Sequence, residues 1–238
     1  MKKTSQILLI FLLLLAILLP CSAASAAGKK LKAGNTIIFG RYEQDADEEN
    51  GPEEIEWTVL EVKNDKALVI STNVLAAVDY ATEDSKPKES DWEHSNLRAW
   101  MNDTFLNAAF TEEEQKAILL TDVSNAADQG NKKWKMPASN DTQDRVFALS
   151  VKERNKYFKK DAKAMSLATA WAIRHGVKTD TYMTGGIETA AWWLRSPGDA
   201  WDSASAVSPT GVSYQGYNNC DLGARPAMWI DLNADVLN

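Results

Sequence analysis

The chain has 238 residues, of which 45% are hydrophobic and 25% charged, and its formal net charge at pH 7 is −7. This length is enough for one hydrophobic core and lies within the usual range for a single domain. The acidic balance argues against nucleic acid and anionic lipid as partners, because both would repel the protein.

The first 27 residues have the features of a secretory signal peptide. Lys2 and Lys3 provide a positive start, residues 7–19 form an unbroken apolar run, and residues 24–26 (ASA) fit the small-x-small pattern of signal peptidase. The apolar run is shorter than the ~20 residues that a transmembrane helix needs. We therefore expect a secreted or cell-surface protein, with no membrane insertion after cleavage.

Two alternatives remain open for this N-terminal segment. It could stay uncleaved as a membrane anchor, and Cys21 raises the possibility of a lipoprotein. Pro20 argues against lipidation, since a small residue should precede a lipidated cysteine.

Cleavage would leave a short basic linker, residues 28–33, and a single domain over residues 34–238. Cys220 would then be the one remaining cysteine, so we expect no internal disulfide bond. Stability must come from packing, to which the nine tryptophans of the sequence can contribute large apolar areas.

The predicted elements run from strands to helices and back to strands. Apolar residues and period-two alternation predict strands over residues 36–40, 55–62 and 67–71, with a turn at Asn64-Asp65. Capping residues and helical periodicity predict one helix that begins after Ser95 and three more over residues 112–119, 151–158 and 162–175. Four further strands are predicted over residues 191–195, 204–208, 212–215 and 225–231. An order without a βαβ rhythm favours an α+β fold with a largely antiparallel sheet.

The polar stretch over residues 125–144 is predicted to be a long loop. Such loops are usually functional or mobile. Trp134 lies in its middle and is the tryptophan that core packing explains least, which makes it a candidate contact residue.

Two C-terminal segments carry a family resemblance, residues 192–198 (WWLRSPG) and residues 224–230 (ARPAMWI). With several earlier segments in the same order, from about residue 34 to 232, they make the chain resemble a bacterial exported domain family of unknown function. That family is similar to the C-type-lectin-like fold shared with sulfatase-modifying factors. The resemblance implies a compact α+β domain whose sheets carry long, variable binding loops.

The formylglycine-generating members of that fold use paired cysteines and copper. A soft copper site needs at least two good sulfur ligands, and this chain offers only Cys220 after processing. We therefore expect no copper, no other cofactor and no oxidase activity, although an oxidoreductase relative of this type stays an alternative.

Other catalytic and metal patterns are weak. His94 and His175 lie near helix ends without a recognisable nucleophile pattern, which argues against a hydrolase. Residues 45–51 resemble a calcium loop, but the glycine comes one position late, so a solvated acidic hairpin loop is the better interpretation. We expect no metal site.

Arg195 and Arg225 could serve as anion ligands, but each stands between large apolar residues of a predicted strand. A buried guanidinium must pair with a carboxylate or with backbone carbonyls, so we expect structural roles. Candidate partners are Glu56, Asp199 and Asp231.

Two late loops, over residues 196–202 and 214–221, each combine an aromatic ring with short amides and carboxylates. This chemistry suits sugars, whose apolar faces stack on rings while their hydroxyls bind Asn and Asp, and it suits peptides equally. The candidate ligand-binding residues are Trp134, Trp201, Asp202, Tyr217, Asn218 and Asn219.

The sequence therefore predicts an exported, non-catalytic binding module that recognises a glycan or a protein surface outside the cell. A structural component of the cell envelope is a further alternative.

Overall fold

The computed structural model describes residues 31–81, 91–127, 138–181, 184–200, 202–217 and 222–237, which belong to one compact unit that spans Leu31–Asn238. Thirteen strands are assigned within these ranges. They are β1 (Thr36–Tyr42), β2 (Glu53–Lys63), β3 (Lys66–Ser71), β4 (Ala76–Ala77), β5 (Thr121–Val123), β6 (Thr142–Asp144), β7 (Thr179–Asp180), β8 (Thr189–Ala190), β9 (Trp192–Pro197), β10 (Ser203–Val207), β11 (Ser213–Tyr217), β12 (Gly223–Ala224) and β13 (Ala227–Asp231).

The helices of the described residues are all short. They are α1 (Asn96–Trp100), α2 (Leu106–Ala109), α3 (Glu112–Ala117), α4 (Val151–Tyr157), α5 (Asp161–Ala164) and α6 (Ala170–Arg174), with a π-helical turn at Met101–Phe105 and a 3₁₀ turn at Asp235–Leu237. The predicted α+β class with mostly antiparallel sheets is confirmed.

Three of the four predicted helix starts are confirmed by their capping contacts. Ser95 accepts a hydrogen bond from the backbone N–H of Arg98 at the start of α1. Thr111 with Glu114 and Ser150 with Glu153 form reciprocal capping boxes at α3 and α4. Each box satisfies backbone donors that the first helical turn leaves unpaired.

The first main sheet has the order β1-β2-β3-β13 and is antiparallel throughout. Asn64 and Asp65, with φ of 49° and 59°, form the predicted turn between β2 and β3. Two consecutive positive φ angles match the twist of a tight hairpin. The acidic residues 45–51 connect β1 to β2, as expected for a hairpin loop.

The second main sheet has the order β11-β10-β9-β12-β4. Its pairs are antiparallel except that β12 runs parallel to β9, with Gly223 opposite Trp192. The largest fully buried side chains come from both sheets and from the segments around α1: Trp57, Trp92, Trp192, Trp193, Tyr80, Phe105, Ile55, Leu68, Ile70, Leu75, Leu97 and Met101.

Two predicted elements were wrong in their extent. The helix expected over residues 162–175 is two helices, α5 and α6, because the chain between them pairs with the segment after β3. The backbone N–H of Val74 donates to the carbonyl of Leu167, and the N–H of Thr169 donates to the carbonyl of Val74. A tertiary pairing thus overrides local helix propensity.

The strand expected over residues 225–231 begins two residues late, as β13 at Ala227. β12 belongs to the second sheet and β13 to the first, so the chain changes sheets at Arg225 and Pro226. Pro226 has no N–H to give to a ladder, but its carbonyl accepts a hydrogen bond from the backbone of Ser71 at 2.9 Å.

Candidate functional site

The strand register brings two predicted contact residues together at one end of the second sheet. Ser203, the first residue of β10, lies directly opposite Tyr217, the last residue of β11. Asp202 immediately precedes Ser203, and Pro197 at the end of β9 lies opposite Ala204. Asp202 and Tyr217 therefore stand at the same end of the sheet.

The connection from β9 to β10 is held tightly at this end. The backbone N–H of Gly198 donates to the carbonyl of Ser203 at 2.9 Å, and the N–H of Ala200 donates to Ser203 Oγ at 3.2 Å. A Cβ at Gly198 would lie 2.1 Å from Ser203 Oγ, so only glycine fits without displacing it. These contacts fix the start of β10, and with it the backbone beside Asp202.

The Tyr217 side chain is 65% exposed at the end of β11, which is an edge strand of the sheet. Asp202 is partly buried. The loop predicted over residues 214–221 begins later than expected, because residues up to Tyr217 belong to β11. Trp134, Trp201, Asn218, Asn219 and Cys220 lie outside the described residues.

Arg195 belongs to β9, two residues before Pro197, and is only 3% exposed. Its guanidinium pairs with Glu153 and donates to the carbonyls of Ala148 at 2.9 Å and Ser124 at 3.1 Å. The expected structural role of Arg195 agrees with these contacts, but the carboxylate is Glu153 rather than Glu56, Asp199 or Asp231.

One carboxylate oxygen of Glu153 takes part in both a helix cap and an ion pair. Its Oε2 accepts the backbone N–H and the hydroxyl of Ser150 in the capping box, and it also accepts the guanidinium of Arg195. Burial alone would raise the pKa of Glu153, but the charge of Arg195 and these hydrogen bonds outweigh it and hold the pKa below its usual range. In the sequence, the capping box with Ser150 already accounts for a glutamate at position 153. The sequence therefore gives no sign that Glu153 also pairs with Arg195.

Tyr80 connects Arg195 to a third region. Its buried hydroxyl donates to the backbone carbonyl of Arg195 at 2.8 Å, and its ring lies 5.5 Å from that of Trp193. Burial and the negative charge of Asp91 both raise the pKa of Tyr80, while Arg195 acts in the opposite direction. Tyr80 is therefore a neutral hydrogen-bond donor.

Arg225 is 4% exposed and has different partners. It donates to the carbonyls of Ser71 at 2.9 Å and Thr72 at 3.2 Å, and its guanidinium lies 5.0 Å from the ring centroid of Trp192 and 5.5 Å from that of Phe158. Within the described ranges, no carboxylate pairs with it, and burial lowers the pKa of Arg225 to about 9. Backbone carbonyls and aromatic faces thus take the place of the expected acidic partner.

A groove of about 580 Å³ lies between β1 and residues 107–114. It is lined by Gly40, Phe110 and Glu114 among others, and neither Asp202 nor Tyr217 contributes to it. The sheet end and this groove are therefore separate surfaces.

The comparisons with known proteins give one match. Residues 64–232 match the model of a domain of unknown function, DUF6273, and so cover more than half of the chain. The chain belongs to the DUF6273 family. No curated protein and no solved structure matches it.

The DUF6273 match includes both arginine-bearing segments and the sheet end with Asp202 and Tyr217. It begins at Asn64 and so omits β1 and β2, although β2 pairs with β3 along most of its length. The prediction of a family of unknown function is confirmed. Within the part of the chain described here, no helix has the length and apolar character needed to cross a membrane.

Proposed function

We propose that this DUF6273 protein is a non-catalytic module that binds a glycan outside the cell, with the end of the second sheet as its contact surface. The observation that carries the proposal is the exposed Tyr217, which lies opposite Ser203 at the same end of the sheet as Asp202. Sugars present apolar ring faces and hydroxyl groups together, and an aromatic ring beside a carboxylate complements both.

The arrangement favours binding because the backbone under the surface is rigid. β10 pairs with a strand on each side, and the Gly198–Ser203 contacts fix its first residue. A preorganised contact residue loses less conformational entropy on binding than one on a free loop. Little of the binding free energy would therefore be lost in ordering the contact residues.

The location outside the cell rests on the signal-peptide pattern of residues 1–27. The overall design that we infer is C-type-lectin-like, in which sheets present variable loops to a ligand. The mostly antiparallel architecture with short helices is compatible with this design.

The proposal is tested by applying the purified protein to a printed array of defined oligosaccharides, followed by calorimetry with any glycan that binds. We expect Tyr217→Ala to weaken that binding by about tenfold or more, as the loss of a stacked aromatic contact does. Leu120→Ala is the matched control, because Leu120 is 58% exposed and belongs to a different part of the fold.

A glycan whose affinity falls in Tyr217→Ala and persists in Leu120→Ala supports the assigned surface. Equal affinities for the wild type and Tyr217→Ala would show that the assigned contact surface is wrong. If the folded protein binds no oligosaccharide on the array, the proposal of glycan binding is wrong.

A further inference from the structure

A cluster of three metal-ligating side chains lies just before α1, outside the proposed glycan surface. Asp91, Glu93 and His94 each offer one ligand atom, and these atoms all lie within 4.8 Å of one another. His94 Nδ1 is 2.9 Å from Asp91 Oδ1 and 4.0 Å from Glu93 Oε2. Ligand atoms about 2 Å from a tetrahedral ion lie about 3.3 Å apart, so small rotations of these three side chains would place their ligand atoms around one ion.

The turn that carries these residues is anchored in the core. Trp92, between two of the ligands, is fully buried, and its Nε1 donates to Asp144 Oδ2 at 2.8 Å. Ser95 is buried beside His94, and its Oγ donates to the carbonyl of Trp92 at 3.0 Å. The three ligand side chains thus project from a backbone whose conformation is already fixed.

Neighbouring groups orient the two carboxylates. Asn140 Nδ2 donates to Glu93 Oε2 at 2.8 Å, and the backbone N–H of His94 donates to Asp91 Oδ1 at 3.0 Å. Such outer contacts hold metal ligands in position and raise affinity.

Among the described residues, Arg98 contacts the turn that carries the cluster without pairing with its carboxylates. Arg98 donates through Nη1 to the backbone carbonyl of Glu93, and its Nε pairs with Asp144 at 2.7 Å. The charge of Arg98 is therefore balanced by Asp144 and not by Asp91 or Glu93.

We propose that Asp91, Glu93 and His94 form a binding site for a first-row divalent cation, with Zn²⁺ as its best occupant. An imidazole with two carboxylates suits zinc, whereas calcium and magnesium prefer oxygen ligands alone. Three protein ligands leave at least one coordination position open to solvent or to another molecule.

Binding requires one rearrangement that the geometry permits. His94 must present an unprotonated Nδ1 to the ion, so the proton that bonds Nδ1 to Asp91 moves to Nε2, or is released where the ring is charged. The side chain of His94 is 54% exposed, which gives the ion and water access to the ring.

A second cluster provides the comparison. Glu43, Asp45 and Glu53 also place three ligand atoms within 4.8 Å of one another, but all three are carboxylates. The structure contains no further observation that points to a ligand there, so it serves as the control for non-specific attraction of cations to acidic groups.

The experiment is calorimetric titration of the metal-free protein with Zn²⁺, Mn²⁺ and Ca²⁺ in separate runs. We expect one Zn²⁺ per chain, bound more tightly than Ca²⁺, and a loss of about tenfold or more in Zn²⁺ affinity in both His94→Ala and Glu93→Gln. Asp45→Asn should bind Zn²⁺ as the wild type does. Circular dichroism checks that each variant is folded. If His94→Ala does not fold, the Zn²⁺ affinity of Glu93→Gln still tests the site.

Three results would overturn the site: no saturable Zn²⁺ binding, unchanged affinity in both cluster variants, or an equal loss in Asp45→Asn. The titration uses no sugar, so its outcome is independent of the proposed glycan binding.

Discussion

Arg195 and Arg225 have similar sequence surroundings, since each follows an apolar residue and precedes a proline by one or two positions. Both are almost completely buried. Arg195 nevertheless pairs with the carboxylate of Glu153, whereas Arg225 donates to two backbone carbonyls and lies close to the rings of Trp192 and Phe158. One fold thus accommodates two buried guanidinium groups by different means, and the difference determines what each removal should cost.

The largest effect is expected for Arg195→Met, because it leaves the Glu153 carboxylate beside the core without its cation. Breaking a fully buried ion pair in this way costs about 3–5 kcal/mol of unfolding free energy, and because the Glu153 side chain is 30% exposed we expect about 3 kcal/mol, the lower end of that range. Urea unfolding of the variant and the wild type measures it. Arg41→Met is the control, since Arg41 pairs with Glu54 on the surface and such exposed pairs contribute about 0–1 kcal/mol. Similar losses in the two variants would contradict the assigned importance of the Arg195–Glu153 pair.

A smaller loss is expected for Glu153→Gln. Glutamine can keep the capping box with Ser150 but gives Arg195 a neutral acceptor, so the variant should lose about 2 kcal/mol, the value of a hydrogen bond to a charged group. The matched control is Glu114→Gln, because Glu114 forms the same capping box with Thr111 in α3. If both substitutions cost the same, Glu153 would act only as a cap.

Arg225→Met should cost still less, about 1 kcal/mol. The variant loses two hydrogen bonds to carbonyls, but it also removes a charge that is buried without a carboxylate, and these two contributions oppose each other. The same urea titration measures the difference. A loss as large as that of Arg195→Met would mean that aromatic rings and carbonyls hold a guanidinium as firmly as a carboxylate does.

The smallest effect is a change in pH dependence. The pKa of Glu153 in the folded protein lies below its ordinary value of 4.5, so its contribution to stability is complete above pH 4.5 and is lost as the pH falls below that value toward the folded pKa. Unfolding free energies measured from pH 6 down to pH 3 should therefore fall less steeply in Glu153→Gln than in the wild type. Arg225→Met should fall in parallel with the wild type, and a flattened curve in that variant would contradict the separation of the two sites.

The features that local sequence determines were predictable. Ser95, Thr111 and Ser150 mark helix starts because their hydroxyls accept backbone N–H groups a few residues later. The turn at Asn64-Asp65 and the alternating strand β2 likewise depend only on neighbouring residues.

The features that long-range pairing determines were not predictable. Residues 165–169 leave the expected helix because Val74 offers them backbone partners, and no local pattern shows this. The candidate surface has the same limit, since Asp202 and Tyr217 could be selected from composition but only the register of β10 and β11 shows that they lie at the same end of the sheet. The hydrogen bond from the Tyr80 hydroxyl to Arg195 could not be predicted from the sequence, because the acceptor is a backbone carbonyl.

The pairing of β3 with β13 and of β4 with β12 has a consequence for the time course of folding. Both pairs join the first third of the chain to its last residues, so neither main sheet can be completed until residues 223–231 are present. Bringing together strands so distant in sequence is slow, because loop-closure entropy is lost before the contacts form. During that interval β3 would expose an unpaired edge of buried residues, Ala67 to Ser71, to other chains. A protein with this topology is expected to depend on its final strand, or on a chaperone in its place, to avoid aggregation while it matures.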